Sequence, residues 1–122
     1  MVAVWTVANA QVEAKVKVID QAEFAALFDK DVIETPAVID FNATWCGPCR
    51  RLAPVLEELA SEYKGKVDFY SIDVDQNKDL AKALGIRSIP YVLYIGTNGE
   101  PEVSTGLIPK ENIKAKIDKL IK

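Results

Sequence analysis

Apolar residues recur along this chain at two spacings, which predict strands and helices. Val16 and Val18 alternate with two lysines, a pattern typical of an edge strand. The apolar run 37–42 shows no alternation, so we expect a strand that is buried on both faces. The first predicted strand begins at about residue 13, and the others span residues 37–42, 66–74, 91–95 and 102–105.

Steps of three and four residues between apolar side chains predict four helices. The first follows Asp20, which can form a capping box with Glu23, and the last begins at Pro109. A short helix is predicted at 77–84 and a long one at about 46–64. The apolar stripe of the long helix consists of Leu52, Val55, Leu56, Leu59 and Tyr63.

The order of these elements predicts an α/β fold with a five-stranded mixed sheet flanked by four helices. Helices separate the first three strands, which implies a parallel part of the sheet. The last two strands are joined at Asn98-Gly99, a hairpin signal, and add an antiparallel edge.

Composition excludes several classes of function. The chain has 122 residues, enough for one domain, and a net charge of −3. Because the charges of both signs are interspersed, we expect neither nucleic acid nor an anionic membrane surface as a partner. No apolar run approaches the roughly 20 residues of a membrane-spanning helix. The absence of histidine excludes Cys-His and Ser-His-Asp catalysis and histidine-bound zinc.

Residues 1–10 are apolar and uncharged, and they end in Ala8-Asn9-Ala10 before Gln11. This ending looks like a secretory cleavage site, although no Lys or Arg precedes it. A signal remnant favours the periplasm or cell envelope, whereas a frayed or strand-extending N-terminus leaves a cytoplasmic location open. We expect residues 1–12 to be an extension and residues 13–122 to form the domain.

The only two cysteines, Cys46 and Cys49, lie where the strand 37–42 ends and the long helix begins. At a helix start, unpaired N–H groups and the helix dipole favour the thiolate of Cys46. Cys49 follows three residues later on the same helical face, so the two sulfurs can meet. Gly47 and Pro48 suit a tight first turn. The pair is predicted to be a reversible dithiol, with Cys46 open to solvent and Cys49 covered by the core.

Other interpretations of these residues stand beside this one. A static disulfide across so short a loop gives little stabilisation, and zinc would need two further ligands that the chain lacks. Asp40 would be exposed in an edge strand, but its apolar neighbours predict burial, a raised pKa and a functional role. For Trp45, packing on the core and lining a binding surface both stay open.

Cys-x-x-Cys next to a βαβ pattern is a mark of thioredoxin-like redox proteins. Here the motif has Trp45 before it, an acidic residue six positions upstream and Ile89-Pro90 about 40 residues downstream. The chain therefore resembles the thioredoxin family from about Val16 to its end. The matching segments are residues 40–49, 85–90, Asn98-Gly99 and Gly106.

The resemblance implies a thioredoxin fold and a role for each matching residue. Cys46 would attack the substrate, Cys49 would resolve the mixed disulfide, and Asp40 would accept its proton through water. Ile89-Pro90 would carry a cis peptide bond beside the sulfurs. An extended substrate segment would bind a shallow groove, partly through main-chain hydrogen bonds. The implied substrate-binding residues are Trp45, Gly47, Pro48, Ile89, Pro90 and Gly106.

The function implied is that of a thioredoxin-type protein-disulfide oxidoreductase, working as a reductase by thiol–disulfide exchange. It would need no bound cofactor, would act as a monomer on disulfide-containing proteins, and would receive electrons from a reductase. An envelope oxidant or isomerase, or a binding scaffold with an incidental dithiol, are the alternatives. Two departures from the family stand at Ser71, where a lysine is common, and at Tyr91, where threonine is usual.

Overall fold

The computed structural model describes residues 15–29, 33–97 and 100–122. Within these residues the chain forms five strands and four helices, as the apolar pattern predicts. In chain order they are β1 (Lys17–Val18), α1 (Gln21–Ala26), β2 (Ala37–Asn42), α2 (Gly47–Glu62), β3 (Asp68–Asp73), α3 (Lys78–Ala83), β4 (Tyr91–Ile95), β5 (Pro101–Thr105) and α4 (Lys110–Leu120). None of the helices in these ranges is long and apolar enough to cross a bilayer.

All five strands belong to one mixed sheet in the order β1-β3-β2-β4-β5. β1, β3 and β2 run parallel, whereas β4 is antiparallel to β2 and β5 is antiparallel to β4. The predicted α/β class and mixed sheet are therefore confirmed. The turn at Asn98-Gly99 and the extension at 1–12 lie outside the described residues, although the pairing of β4 with β5 confirms the hairpin.

β2 lies at the centre of the sheet, which explains why its sequence does not alternate. Val38 packs in a cluster with α2 and α4, while Ile39 packs in a second cluster with side chains from α1 and α3. Successive side chains of β2 point to opposite faces of the sheet. Because helices cover both faces, most of these side chains are apolar whichever face they point to. The register sets Asp40 between Ser71 of β3 and Val92 of β4.

Local signals set the helix ends that position the site. Asp20 forms the predicted capping box, because its carboxylate accepts the Glu23 N–H at 2.8 Å and Glu23 accepts the Asp20 N–H at 3.2 Å. The long helix is shorter than predicted at both ends, since Cys46 is its N-cap and Tyr63 its C-cap. Gly65 then takes a left-handed φ of 84°, which allows the chain to turn toward β3.

Candidate active site

The two cysteines occupy the junction at which β2 gives way to α2. The Cys46 N–H donates to the carbonyl of Ala43 at 3.2 Å, which holds the loop before the helix. The Cys46 Sγ in turn accepts the backbone N–H of Cys49 at 3.2 Å and so acts as the N-cap. The two residues form a disulfide with their Cα atoms 5.3 Å apart. The dithiol pair is thus assembled by one helical turn, as its spacing predicts.

The predicted difference in exposure between the cysteines is wrong for this disulfide form. Cys46 and Cys49 are each only 4% exposed. Both pack with Ala43, and Ile89 and Val74 lie against this small cluster. What does separate the two sulfurs is their surroundings, since Cys46 receives an N–H and Cys49 faces a cavity that Asp40 also lines.

The loop before β4 lies beside the sulfurs and carries a cis bond between Ile89 and Pro90, as the resemblance implies. The Cys46 Sγ is 3.9 Å from the carbonyl oxygen of Ile89. Pro90 is fully buried, and its carbonyl accepts the N–H of Gly106 at 2.8 Å. Gly106 has a φ of 78°, a conformation that favours glycine, so its identity follows from the backbone of this turn.

Trp45 lies at the surface with 68% of its area exposed, which excludes packing on the core. Its indole N–H donates to a carboxylate oxygen of Asp75 at 2.8 Å. Trp45 and Ile89 line a surface pocket of about 240 Å³ together with apolar and basic residues. The other lining residues are Val74, Lys78, Ala81, Ile86 and Arg87. Sequence patterns did not identify Asp75, because its contact with Trp45 spans 30 positions.

The remaining residues implied for substrate binding differ in their exposure. Pro48 is exposed and Gly47 is half-buried, so the turn between the cysteines reaches the surface. Gly106 is half-buried next to Pro90 but does not line the pocket of Trp45. Tyr91 packs its ring edge-on against Phe41 at 5.8 Å between centroids, which gives this departure a packing role.

Asp40 is buried as predicted, with 4% of its surface exposed. Burial raises the pKa of its carboxyl from 3.8 to about 6, because the charged form loses water, and a hydrogen bond from Asn42 opposes this rise. The Asn42 Nδ2 lies 3.2 Å from Oδ2 of Asp40 and 2.7 Å from Oγ of Ser71. Oδ1 of Asp40 has no hydrogen-bond partner among the described residues. Ser71, the first departure from the family, stands beside Asp40 in the sheet and contacts Asn42 rather than the carboxylate.

An open cavity of about 300 Å³ connects these groups. Asp40, Asn42, Cys49 and Ser71 all line it, so the buried carboxyl and the second cysteine share one space. The rest of the lining comes from Val16, Val18, Ala43, Thr44, Arg50, Ala53, Leu56 and Glu57. In the part of the chain that the structure describes, no three His, Cys, Asp or Glu side chains are grouped so as to hold a metal ion. The chemistry that this arrangement offers is exchange between thiols and disulfides, next to a buried carboxyl group.

Comparison with known proteins gives concordant results. The family model described as Thioredoxin matches residues 15–119. A thioredoxin of Borreliella burgdorferi is 42% identical over 78 residues, which cover 64% of this chain and 67% of that relative. A thioredoxin of Staphylococcus haemolyticus is 45% identical over 93 residues, covering 75% and 88%. The crystal structure of chloroplastic thioredoxin z superposes with a TM-score of 0.80 at 32% identity and covers 89% of this chain and 96% of that one.

Proposed function

Since the chain belongs to the thioredoxin family and is a thiol–disulfide oxidoreductase, we propose that it reduces disulfide bonds in protein substrates. Members of this family act on disulfide substrates and work with a reductase. The observation that supports the proposal most directly is the N–H of Cys49 aimed at Sγ of Cys46 at the helix start. The oxidant, isomerase and scaffold alternatives have no better support.

Cys46 is proposed as the attacking group. In the reduced protein the same N–H and the positive end of the α2 dipole stabilise its thiolate. The thiolate attacks one sulfur of the substrate disulfide, which breaks the substrate S–S bond and forms a mixed disulfide with Cys46. The first substrate thiolate leaves at this step.

Cys49 is proposed as the resolving group, with Asp40 as its proton acceptor. The pKa of Asp40, raised by burial to about 6, leaves the carboxyl ionised at neutral pH, and its shared cavity with Cys49 gives the proton a route. The Cys49 thiolate then attacks Sγ of Cys46 and releases the second substrate thiolate. The protein is oxidised to the disulfide form and the substrate is reduced, so electrons must be restored by a reductase.

The substrate surface is proposed to extend from Trp45 across Ile89 to Gly106. Trp45 and Ile89 give it an apolar wall. Neither the N–H nor the C=O of Ile89 bonds to another backbone group among the described residues, and the carbonyl oxygen has only Cys46 Sγ near it, at 3.9 Å. This stretch of backbone can therefore pair with an extended substrate segment. Gly47, Pro48 and the buried Pro90 shape this surface without a side chain that reacts. We further infer that the protein acts as a monomer and does not insert into membranes. Its interspersed charges support the further inference that it binds no nucleic acid.

Trapping experiments separate the proposed roles of the cysteines. Cys49→Ser should attack but fail to resolve, and a disulfide-bonded protein such as insulin should stay attached through Cys46 on a non-reducing gel. Cys46→Ser should accumulate no such adduct and should not reduce insulin. If Cys46→Ser traps insulin as well as Cys49→Ser does, the proposed order of attack is wrong.

A further inference from the structure

Asn42 lies at the centre of this site, and the mechanism above gives it no role. Its side-chain nitrogen lies 3.2 Å from Oδ2 of Asp40, 3.1 Å from the Asp40 carbonyl oxygen and 2.7 Å from Oγ of Ser71. It is also the one residue that donates a side-chain hydrogen bond to the Asp40 carboxyl within the described ranges. The amide is thus wedged between β2 and β3 and bonds to both.

The chemistry of these neighbours determines which way the amide points. The Asp40 carbonyl and carboxylate oxygens accept hydrogen bonds, and the hydroxyl of Ser71 can accept one as well. The opposite orientation would set the amide oxygen against both oxygens of Asp40, where electrostatic repulsion disfavours it. The two oxygens of Asp40 therefore keep the Asn42 Nδ2 turned toward them, and Ser71, which lies 2.7 Å from the same nitrogen, completes a clamp from the side of β3.

This clamp makes the two carboxyl oxygens of Asp40 different. Oδ2 is engaged by Asn42, whereas Oδ1 is buried with no hydrogen-bond partner in the described part of the chain. Asp40, Asn42 and Cys49 line the same cavity. We propose that Asn42 is a positioning residue, which with Ser71 orients the Asp40 carboxyl so that Oδ1 serves the second cysteine during resolution. This inference rests on the proposed function, in which Cys49 resolves the mixed disulfide.

In the step concerned, the Cys49 thiol gives its proton to Oδ1 of Asp40 and becomes a thiolate. The thiolate forms the S–S bond with Cys46, and the bond from Cys46 to the substrate breaks. The substrate leaves as a thiolate and Asp40 leaves the step protonated, to release its proton to solvent through the cavity. Two protein thiols are oxidised for one substrate disulfide reduced, and no other reactant enters.

Asn42 donates to Oδ2 and thereby stabilises the charged form of Asp40. The other described groups around Asp40 do not donate to its carboxylate. From α2, the cavity receives Arg50, Glu57 and Cys49, and Glu57 already accepts the N–H groups of Lys15 and Val16. β1 contributes Val18, the residue before that strand is Val16, and β3 contributes the neutral Ser71. From β4, Tyr94 feels the charge of Asp40, while its hydroxyl bonds to Ser104 on β5 at 2.8 Å. Loss of the Asn42 amide should therefore raise the pKa of Asp40 further.

The test uses Asn42→Leu, which keeps the approximate shape and removes the donor. Asn77→Leu is the matched control, because Asn77 is a buried amide that bonds to backbone groups away from Asp40. Reduced protein is mixed with excess dithiobis(nitrobenzoate) in a stopped-flow instrument across a pH series. The first release of nitrothiobenzoate reports attack by Cys46, and the second reports resolution by Cys49.

We expect Asn42→Leu to leave the first release unchanged and to move the acid limb of the second upward by about one pH unit. Below that limb, resolution should slow about tenfold, since the ionised fraction of Asp40 falls by that factor. A pH titration followed by carbon NMR of the Asp40 carboxyl should show that the pKa of Asp40 rises by the same amount. Asn77→Leu should change neither the acid limb of the second release nor the pKa of Asp40. If Asn42→Leu does not fold, Ser71→Ala should give a smaller shift in the same direction.

The outcomes distinguish this inference from the function it rests on. If the wild-type protein shows no second release that depends on Cys49, the proposed function fails. If the second release is present but its acid limb stays in place in both Asn42→Leu and Ser71→Ala, the positioning role is overturned. An equal shift in Asn77→Leu would also overturn it, because general loosening would then explain the result.

Discussion

Replacement of Asp40 by asparagine should stabilise the folded protein at neutral pH and impair its chemistry at the same time. The carboxyl is 4% exposed, and burial raises its pKa from 3.8 to about 6. A folded pKa above the unfolded one means that the native state binds the proton more tightly. The stabilisation by this proton is complete below pH 3.8 and is lost as the pH rises through about 6.

The size of the effect follows from the shift. At about 1.4 kcal/mol per pKa unit, a shift of about two units costs the ionised native state roughly 3 kcal/mol at neutral pH. The side-chain amide of the variant carries no charge, and its oxygen can still accept from Asn42, so most of this cost should disappear. We expect Asp40→Asn to raise the free energy of unfolding by roughly 2–3 kcal/mol and Tm by about 10 °C at neutral pH.

Urea denaturation of the oxidised wild type and variant, repeated across this pH range, gives the measurement. The difference between them should be near zero at about pH 4 and should grow toward neutral pH, then level off. Asp79→Asn removes the same charge from an exposed position and serves as the control for loss of a charge without burial. A difference for Asp40→Asn that does not change with pH, or a variant less stable than wild type at neutral pH, would refute the argument from burial.

Three further substitutions test the packing and the surface. Ile117 has no exposed area and lies in the cluster that packs against α2. Ile117→Ala should therefore lower the free energy of unfolding in urea by about 2–5 kcal/mol, and a loss under about 1 kcal/mol would contradict this packing. Gly85 has a φ of 69°, and space is open around it for a new methyl group. Gly85→Ala should still lower the free energy of unfolding by about 1 kcal/mol in the same assay, and an unchanged value would argue against this backbone conformation. Asp75→Ala removes the partner of the Trp45 indole and should slow insulin reduction severalfold while stability changes by about 0.5 kcal/mol or less, whereas unchanged turnover would exclude a role for this contact.

The element order could be predicted because each signal for it is local. A capping box spans four residues, and a helix stripe or an unbroken apolar run lies within one element. Burial of Asp40 was predicted for the same reason, since the residues beside it in β2 are apolar on both sides. Element ends were less well predicted, since β3 spans Asp68–Asp73 rather than 66–74 and α2 spans Gly47–Glu62 rather than 46–64.

The parts of the site that sequence did not predict depend on contacts between distant positions. Exposure of Cys46 was predicted wrongly because its cover comes from Ile89 on another loop. Asn42 had no assigned role because its clamp needs Ser71, 29 positions away, and these two residues meet only when β2 and β3 pair in one register.

Sequence alone thus determined which residues can do the chemistry and which elements hold them, because reactivity and helix or strand periodicity belong to short segments. Tertiary structure decided which groups surround each sulfur and each carboxyl oxygen. Strand register set Ser71 beside Asp40, and the packing of α2 on the sheet set Cys49 in the same cavity. Desolvation and hydrogen bonding act only between groups brought within a few ångströms, so the pKa of Asp40 and the clamp by Asn42 exist only in the folded chain.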